Sequence, residues 1–161
     1  MMSMNWNYPT SIWFGEKRIN EIQKACDDLN IKKPLIVTDP GILKTNIVEK
    51  INEALSTRAN IFSDVQSNPT GQNVVNGVLN FNANMHDGVI AVGGGSGMDV
   101  GKGIAFMAEQ NRPLWDFEDI GDYWKRANSA VIKPIIAVPR PVGFTKRSRR
   151  SWRNPTADGP P

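Results

Sequence analysis

The run Gly93-Gly94-Gly95-Ser96-Gly97-Met98-Asp99-Val100-Gly101-Lys102 follows a short apolar stretch, Gly88-Val89-Ile90-Ala91-Val92, and leads into residues with helical spacing. The glycines therefore fall at a strand-to-helix turn. Residues without a Cβ let the backbone approach a ligand closely there, and the first amides of the following helix point outward. Such a turn attracts an anion, most often a phosphate.

The rest of the chain alternates in a way that suits this unit. Pro34-Leu35-Ile36-Val37-Thr38-Asp39 is a continuous apolar run ending in an acid, which predicts a strand buried on both faces of a parallel sheet. Asn60 to Val65 predicts a weaker strand and Pro134 to Val138 another buried one, while Ile12 and Phe14 alternate in a short extended segment ending at Trp13-Phe14-Gly15. Between them, Lys17 to Leu29 carries Ile19, Ile22, Ala25, Cys26 and Leu29 on one helical stripe, with Cys26 as a packing thiol. A second helix is predicted over Ile42 to Leu55. A third starts after Asn68 or Thr70 as cap and buries Val74, Val75, Val78 and Leu79. Past the glycine turn, Val100, Ile104, Met107 and Ala108 form a further stripe. The aromatic, acidic stretch Asn111 to Lys133 reads as a loop with a short helix, packed against another part of the molecule. The result is an α/β fold: a Rossmann-like parallel sheet with flanking helices.

Two polar positions in this pattern suggest chemistry. Asp39 sits where its strand emerges, a place from which a carboxylate can accept hydrogen bonds from ribose hydroxyls and repel a 2′-phosphate, favouring NAD over NADP. Its alternative role is a turn residue bonding its own backbone. Asp99 and Lys102, three residues apart, either form an ordinary ion pair or both face a cofactor cleft. His86, the only histidine, reads as a surface loop residue, and a metal site built on several histidines is impossible with this chain alone.

Composition narrows the field. No apolar run approaches the roughly 20 residues of a membrane helix, the first residues lack a secretion-signal layout, and a lone cysteine suits a cytoplasmic protein. The net charge of +3 is unevenly placed: Arg140 to Pro161 holds six basic residues and one acidic residue, so the chain before it is slightly acidic. That basic run has no aromatic platform or recognition helix, so nucleic acid is not the expected partner.

The glycine turn fits neither standard phosphate motif. In a dinucleotide fingerprint the sixth residue should be glycine, but Met98 or Val100 stands there. A P-loop needs glycine at position 96, which is Ser96, and Ser or Thr after Lys102, where Gly103 stands. The backbone cradle does not depend on either pattern.

Gly-Gly-Gly-Ser-x-x-Asp-x-x-Lys at Gly93 to Lys102 resembles the signature of the iron-containing (group III) alcohol dehydrogenases. Trp13-Phe14-Gly15, Val37-Thr38-Asp39, Asn68-Pro69-Thr70 and Ile136-Ala137-Val138-Pro139 agree with it in order, so the resemblance covers about Asn5 to Pro139. It implies the N-terminal, NAD-binding domain of a dehydroquinate synthase-like fold over residues 1–139. The helical C-terminal domain, whose aspartate and three histidines hold Fe²⁺ or Zn²⁺, would be absent. By the same resemblance Asp39 contacts the adenosine ribose and Asn68 lines the cleft. Gly94, Gly95 and Ser96 hold the pyrophosphate, with Asp99 and Lys102 beside it. The implied reaction is reversible hydride transfer between a small alcohol or aldehyde and NAD, with the metal as Lewis acid. This chain would supply no catalytic or metal-ligating residue and would be inactive alone, with a homo-oligomer as a possible assembly. Two alternatives stay open: a non-catalytic nucleotide-binding module, and a fragment of a related glycerol dehydrogenase or dehydroquinate synthase-like enzyme.

After Pro139 the resemblance stops. The family continues with a Thr-Thr-x-Gly-Thr-Gly-Ser-Glu type of stretch, and this chain reads Arg140-Pro141-Val142-Gly143-Phe144-Thr145-Lys146. Codons exist for Pro139 to Gly143 that encode Thr-Thr-Ser-Gly in another frame, and codons for Lys146 to Arg149 that encode Ser-Glu-Val. The expectation is that residues 140–161 are frameshifted translation forming a disordered basic tail.

Overall fold

The computed structural model describes residues 10–140. Its centre is a four-stranded sheet of β1 (Pro34–Val37), β2 (Asn60–Phe62), β3 (Gly88–Gly93) and β4 (Ile135–Pro139), in the order β2-β1-β3-β4 with every pair parallel. Among the described residues five α-helices surround it: α1 (Ile22–Asp28), α2 (Pro40–Leu43), α3 (Ile47–Ala54), α4 (Gly71–Ala83) and α5 (Gly95–Met107). The predicted α/β class and parallel sheet are both observed.

The continuous apolar runs explain the layering. Ile36, Ile90 and Val92 point to one face and pack with Ile22, Cys26, Val48 and Ile51 of α1 and α3. Leu35, Val37, Val89 and Ala91 point to the other and meet Phe81 of α4 and Val100 and Ile104 of α5. Each fully buried Val, Leu, Ile or Phe among them stabilises the fold by about 1.5–3 kcal/mol relative to exposure. Cys26 lies in the first cluster as a packing thiol, and burial, helped by the charges of Asp27 and Asp87, pushes its pKa up to about 11.

Several sequence expectations need correction. The helix predicted over Ile42 to Leu55 is two helices. Thr45 Oγ1 donates to Ile42 O at 2.7 Å and accepts from Ile47 N at 3.4 Å, so its side chain competes with the helical ladder where α2 ends. On α4 the buried face is Val74, Gly77 and Phe81; Val75 and Leu79, expected inside, are 45% and 65% exposed. The Trp13-Phe14-Gly15 segment joins no sheet among the described residues, and Phe14 is exposed. Lys17 to Leu29 begins as a 3-10 turn, Arg18–Glu21, before α1. Asn111 to Lys133 holds three 3-10 turns rather than one short helix. β4 is half-exposed rather than buried, because it pairs with β3 alone among the described residues. His86 is buried, not a surface loop residue. Its ring packs against Phe81 with centroids 5.7 Å apart, and Nδ1 lies 3.0 Å from Lys33 O. Expectations for the tail from residue 141 onward lie outside the described residues.

The topology determines where a ligand can enter. From β1 the chain runs outward to β2 with α3 on one face, and from β3 it runs outward to β4 with α5 on the opposite face. Connections leaving two neighbouring strands in opposite directions open a crevice at their carboxyl ends. Here those ends are Thr38-Asp39 and Gly93-Gly94-Gly95.

Candidate functional site

At the crevice the pairing of β1 with β3 stops at Val37 and Ala91. One residue on, the buried Thr38 hydroxyl donates to Val92 O at 2.9 Å, tying the parting strands together. Asp39 then caps α2: its Oδ1 accepts from Gly41 N at 2.9 Å and from Ile42 N at 3.1 Å. Asp39 thus bonds its own backbone, as a turn residue does, and this occupies only one oxygen. Oδ2 accepts no hydrogen bond from the described residues and lies beside the glycine turn, where a Cβ on Gly93 would stand 3.1 Å from it.

The glycines of the turn do different work. Gly93 has φ +132°, a conformation side chains rarely adopt, and its carbonyl accepts from Arg140 N at 2.9 Å. Gly97 lies against the strand ends: a Cβ there would come within 2.8 Å of Val92 O. Gly94 and Gly95 are different, since nothing lies within 4 Å of a Cβ built on either one. Neither a positive φ nor packing within the described residues requires glycine at those two positions. Gly94 is the N-cap of α5 and provides no side-chain cap. The amides of Gly95, Ser96 and Gly97 precede the first intrahelical bond, Met98 N to Gly94 O at 3.2 Å, so they and the positive end of the helix dipole are available to an anion. The open glycines give a phosphate group room to reach them.

Ser96 connects this turn to the loop before α4, its Oγ donating to Ser67 O at 2.8 Å. That bond brings the neighbouring Asn68, which is exposed, to the rim of the crevice. The loop is held by the start of α4, where Asn73 Oδ1 accepts from Thr70 N at 2.9 Å. Of the sequence-predicted residues, Asp39, Gly94, Gly95, Ser96 and Asn68 are thus gathered at one place. Asp99 and Lys102 are exposed on the face of α5 that carries Gly95, opposite its packed stripe of Val100, Gly101 and Ile104. They form no ion pair with each other, so the ordinary i,i+3 pair is not what occupies them.

Thr38 and the carbonyl of Ser67 are parts of the site that sequence reasoning missed. The signal for Thr38 was a single hydroxyl at the end of an otherwise apolar strand; the carbonyl of Ser67 left none. No group of three His, Cys, Asp or Glu side chains among the described residues could hold a metal ion.

The family model for iron-containing alcohol dehydrogenases matches residues 9–144. The chain belongs to the iron-containing alcohol dehydrogenase family. Among its relatives in that family, it is 30% identical over 137 residues to 4-hydroxybutyrate dehydrogenase of Cupriavidus necator, covering 84% of this chain and 36% of the relative. It is 33% identical over 148 residues to 1,3-propanediol dehydrogenase of Klebsiella pneumoniae, covering 88% and 37%. Among solved structures, sulfoacetaldehyde reductase from Bifidobacterium kashiwanohense in complex with NAD⁺ superposes with a TM-score of 0.73 at 27% identity, covering 85% of this chain and 36% of that one. The chain spans about a third of the length of the relatives it matches.

Proposed function

We propose that the carboxyl ends of β1 and β3 bind NAD as the cofactor-binding part of a metal-dependent alcohol dehydrogenase. The observation that carries this reading is the pair of open glycines, Gly94 and Gly95, at a helix start that no side chain among the described residues caps. The cofactor diphosphate would take the first amides of α5, that of Ser96 among them, while the Ser96 hydroxyl holds Ser67 O. The free Oδ2 of Asp39 would accept from the adenosine ribose, and its charge would disfavour a 2′-phosphate. Asn68 would line the entrance, with Asp99 and Lys102 on the outer rim. The family membership and the NAD⁺ complex of the reductase support this assignment.

When bound, NAD supplies a hydride acceptor for an alcohol or, reduced, a donor for an aldehyde or ketone. The residues of this chain hold and orient the cofactor; none is assigned to the reacting carbon. The contacts to the substrate alcohol and the metal ligands would lie outside residues 10–140, which offer no metal-holding group, so those residues by themselves are expected to be inactive, whether monomeric or self-associated. No helix among the described residues is long and apolar enough to cross a membrane, and a cytoplasmic setting is part of the proposal. The change of sequence after Pro139 fits a frameshifted tail over residues 140–161. The coding sequence tests that, since absence of the Thr-Thr-Ser-Gly and Ser-Glu-Val readings in other frames would remove the idea.

Calorimetric titration tests the binding function. NAD should bind the chain measurably and more tightly than NADP, and absence of binding would refute the proposal. Alcohol-dependent NADH formation after addition of Fe²⁺ would refute the inactivity of the chain alone.

A further inference from the structure

The cofactor reading divides the ligand between two elements. Asp39 follows β1, the phosphate amides begin α5, and no side chain of one bonds the other directly among the described residues. Something must fix the distance between them.

The strand register identifies the atom involved. Val89 N donates to Pro134 O and Arg140 N donates to Gly93 O, so odd-numbered residues of β3 bond β4 and even-numbered ones face β1. Continued by one step, the parallel pattern would hand Val92 O to the backbone N–H of residue 39. The chain turns into the Asp39 cap at that point, and Val92 O accepts from Thr38 Oγ1 at 2.9 Å. The same carbonyl is the floor on which α5 begins. A Cβ at Gly97 would be 2.8 Å from Val92 O and 3.7 Å from Thr38 Cα. Thr38 is fully buried, its backbone N–H is taken by Phe62 O at 3.0 Å, and its next neighbour in the chain is Asp39.

We propose that Thr38 is a positioning residue of the cofactor site: its hydroxyl replaces the missing strand bond to Val92 O and fixes Asp39 relative to the first turn of α5. This rests on the NAD reading above. Two half-sites joined by a rigid spacing bind a two-part ligand far better than either part, and that advantage is lost when the spacing loosens while each half stays intact.

Isothermal titration of the 161-residue chain with NAD, with adenosine and with inorganic pyrophosphate tests it, using wild type, Thr38→Val and Thr38→Ser. Valine keeps the one methyl group and puts a second in place of the hydroxyl, so the donor is lost; serine keeps the donor and loses the methyl. Thr38→Val should weaken NAD by about tenfold, the size of one net hydrogen bond, and leave both fragments within about twofold. Thr38→Ser should bind NAD within about twofold of wild type. A general structural role would lower all three affinities together. That result, NAD binding by Thr38→Val at wild-type strength, or serine as weak as valine would overturn the proposal. If the valine chain does not fold, the serine chain carries the test by itself, since weak NAD binding there contradicts a hydroxyl role. A wild-type chain that binds neither NAD nor either fragment would instead overturn the cofactor reading, and Thr38's role with it.

Discussion

The two ends of the same strands treat their polar groups in opposite ways. At the amino end of β3, Asp87 accepts from Lys32 N at 2.9 Å and Lys33 N at 2.8 Å, and His86 Nδ1 lies 3.0 Å from Lys33 O. An open depression of about 390 Å³ lies there too, but its Lys133 and Glu109 are joined at 2.6 Å and its Asp87 is taken by backbone. At the carboxyl end, one oxygen of Asp39 and the first amides of α5 have no partner among the described residues, and Gly94 and Gly95 leave space in front of them. Apart from the buried Nε2 of His86, the polar groups named at the amino end are paired with one another, whereas the carboxyl end leaves accessible donors and one acceptor free to meet a ligand. The charges of Asp87, Glu109 and Lys133 that line the depression at the amino end are thus already paired, and accessible unused hydrogen-bonding capacity lies at the carboxyl end.

Substitutions that act on one end and not the other sharpen this contrast. The largest effect is expected from Gly97→Ala, whose Cβ would meet the Val92 carbonyl at 2.8 Å. We expect a loss of about 1–3 kcal/mol in urea unfolding together with loss of NAD binding, because the clash lies under the cradle itself. Wild-type stability in that variant would contradict the packing described for α5. A smaller loss, about 1 kcal/mol, is expected for Asp87→Ala, since water can reach the exposed Lys32 and Lys33 amides it serves. Its NAD affinity should stay unchanged, and a fall would show that the two ends are coupled.

His86 gives the smallest and most specific test of the amino end. Burial, its largest influence, lowers its pKa below the usual value near 6.5, and Nε2 is buried without a partner among the described residues. The unfolded chain then binds the proton more readily than the folded one. Stability from this group is present above pH 6.5 and declines as the pH falls from there toward the lowered folded value. Comparing urea midpoints of wild type and His86→Gln across that range isolates the effect. The difference between them should change with pH below 6.5 and stay constant above it.

Much of this molecule is legible in the sequence because period and punctuation are local. Continuous apolar runs gave β1 and β3, and the glycine run marked the turn into α5. The positions that resisted were set by neighbours distant in the chain. Val75 and Leu79 are as apolar as Val74, and only the crossing of α4 over α5 decides which of them faces inward. His86 is buried by a contact with Lys33, which lies in a different part of the chain. β4 has the composition of a central strand and occupies an edge of the described sheet. In the site, Asp39 and the glycines were visible as residue types at strand ends. Thr38 was not, because its importance lies in an acceptor on β3 that only strand pairing identifies.

The most direct test of the open end is Gly95→Ala, read by unfolding and by NAD titration on the same preparation. A methyl group at Gly95 would touch nothing within 4 Å, so urea stability should stay within about 1 kcal/mol of wild type. It would stand in the space assigned to the diphosphate, so NAD should bind at least about tenfold more weakly, a difference of about 1.4 kcal/mol. Unchanged stability with unchanged NAD affinity would contradict the claim that this space is kept open for the cofactor.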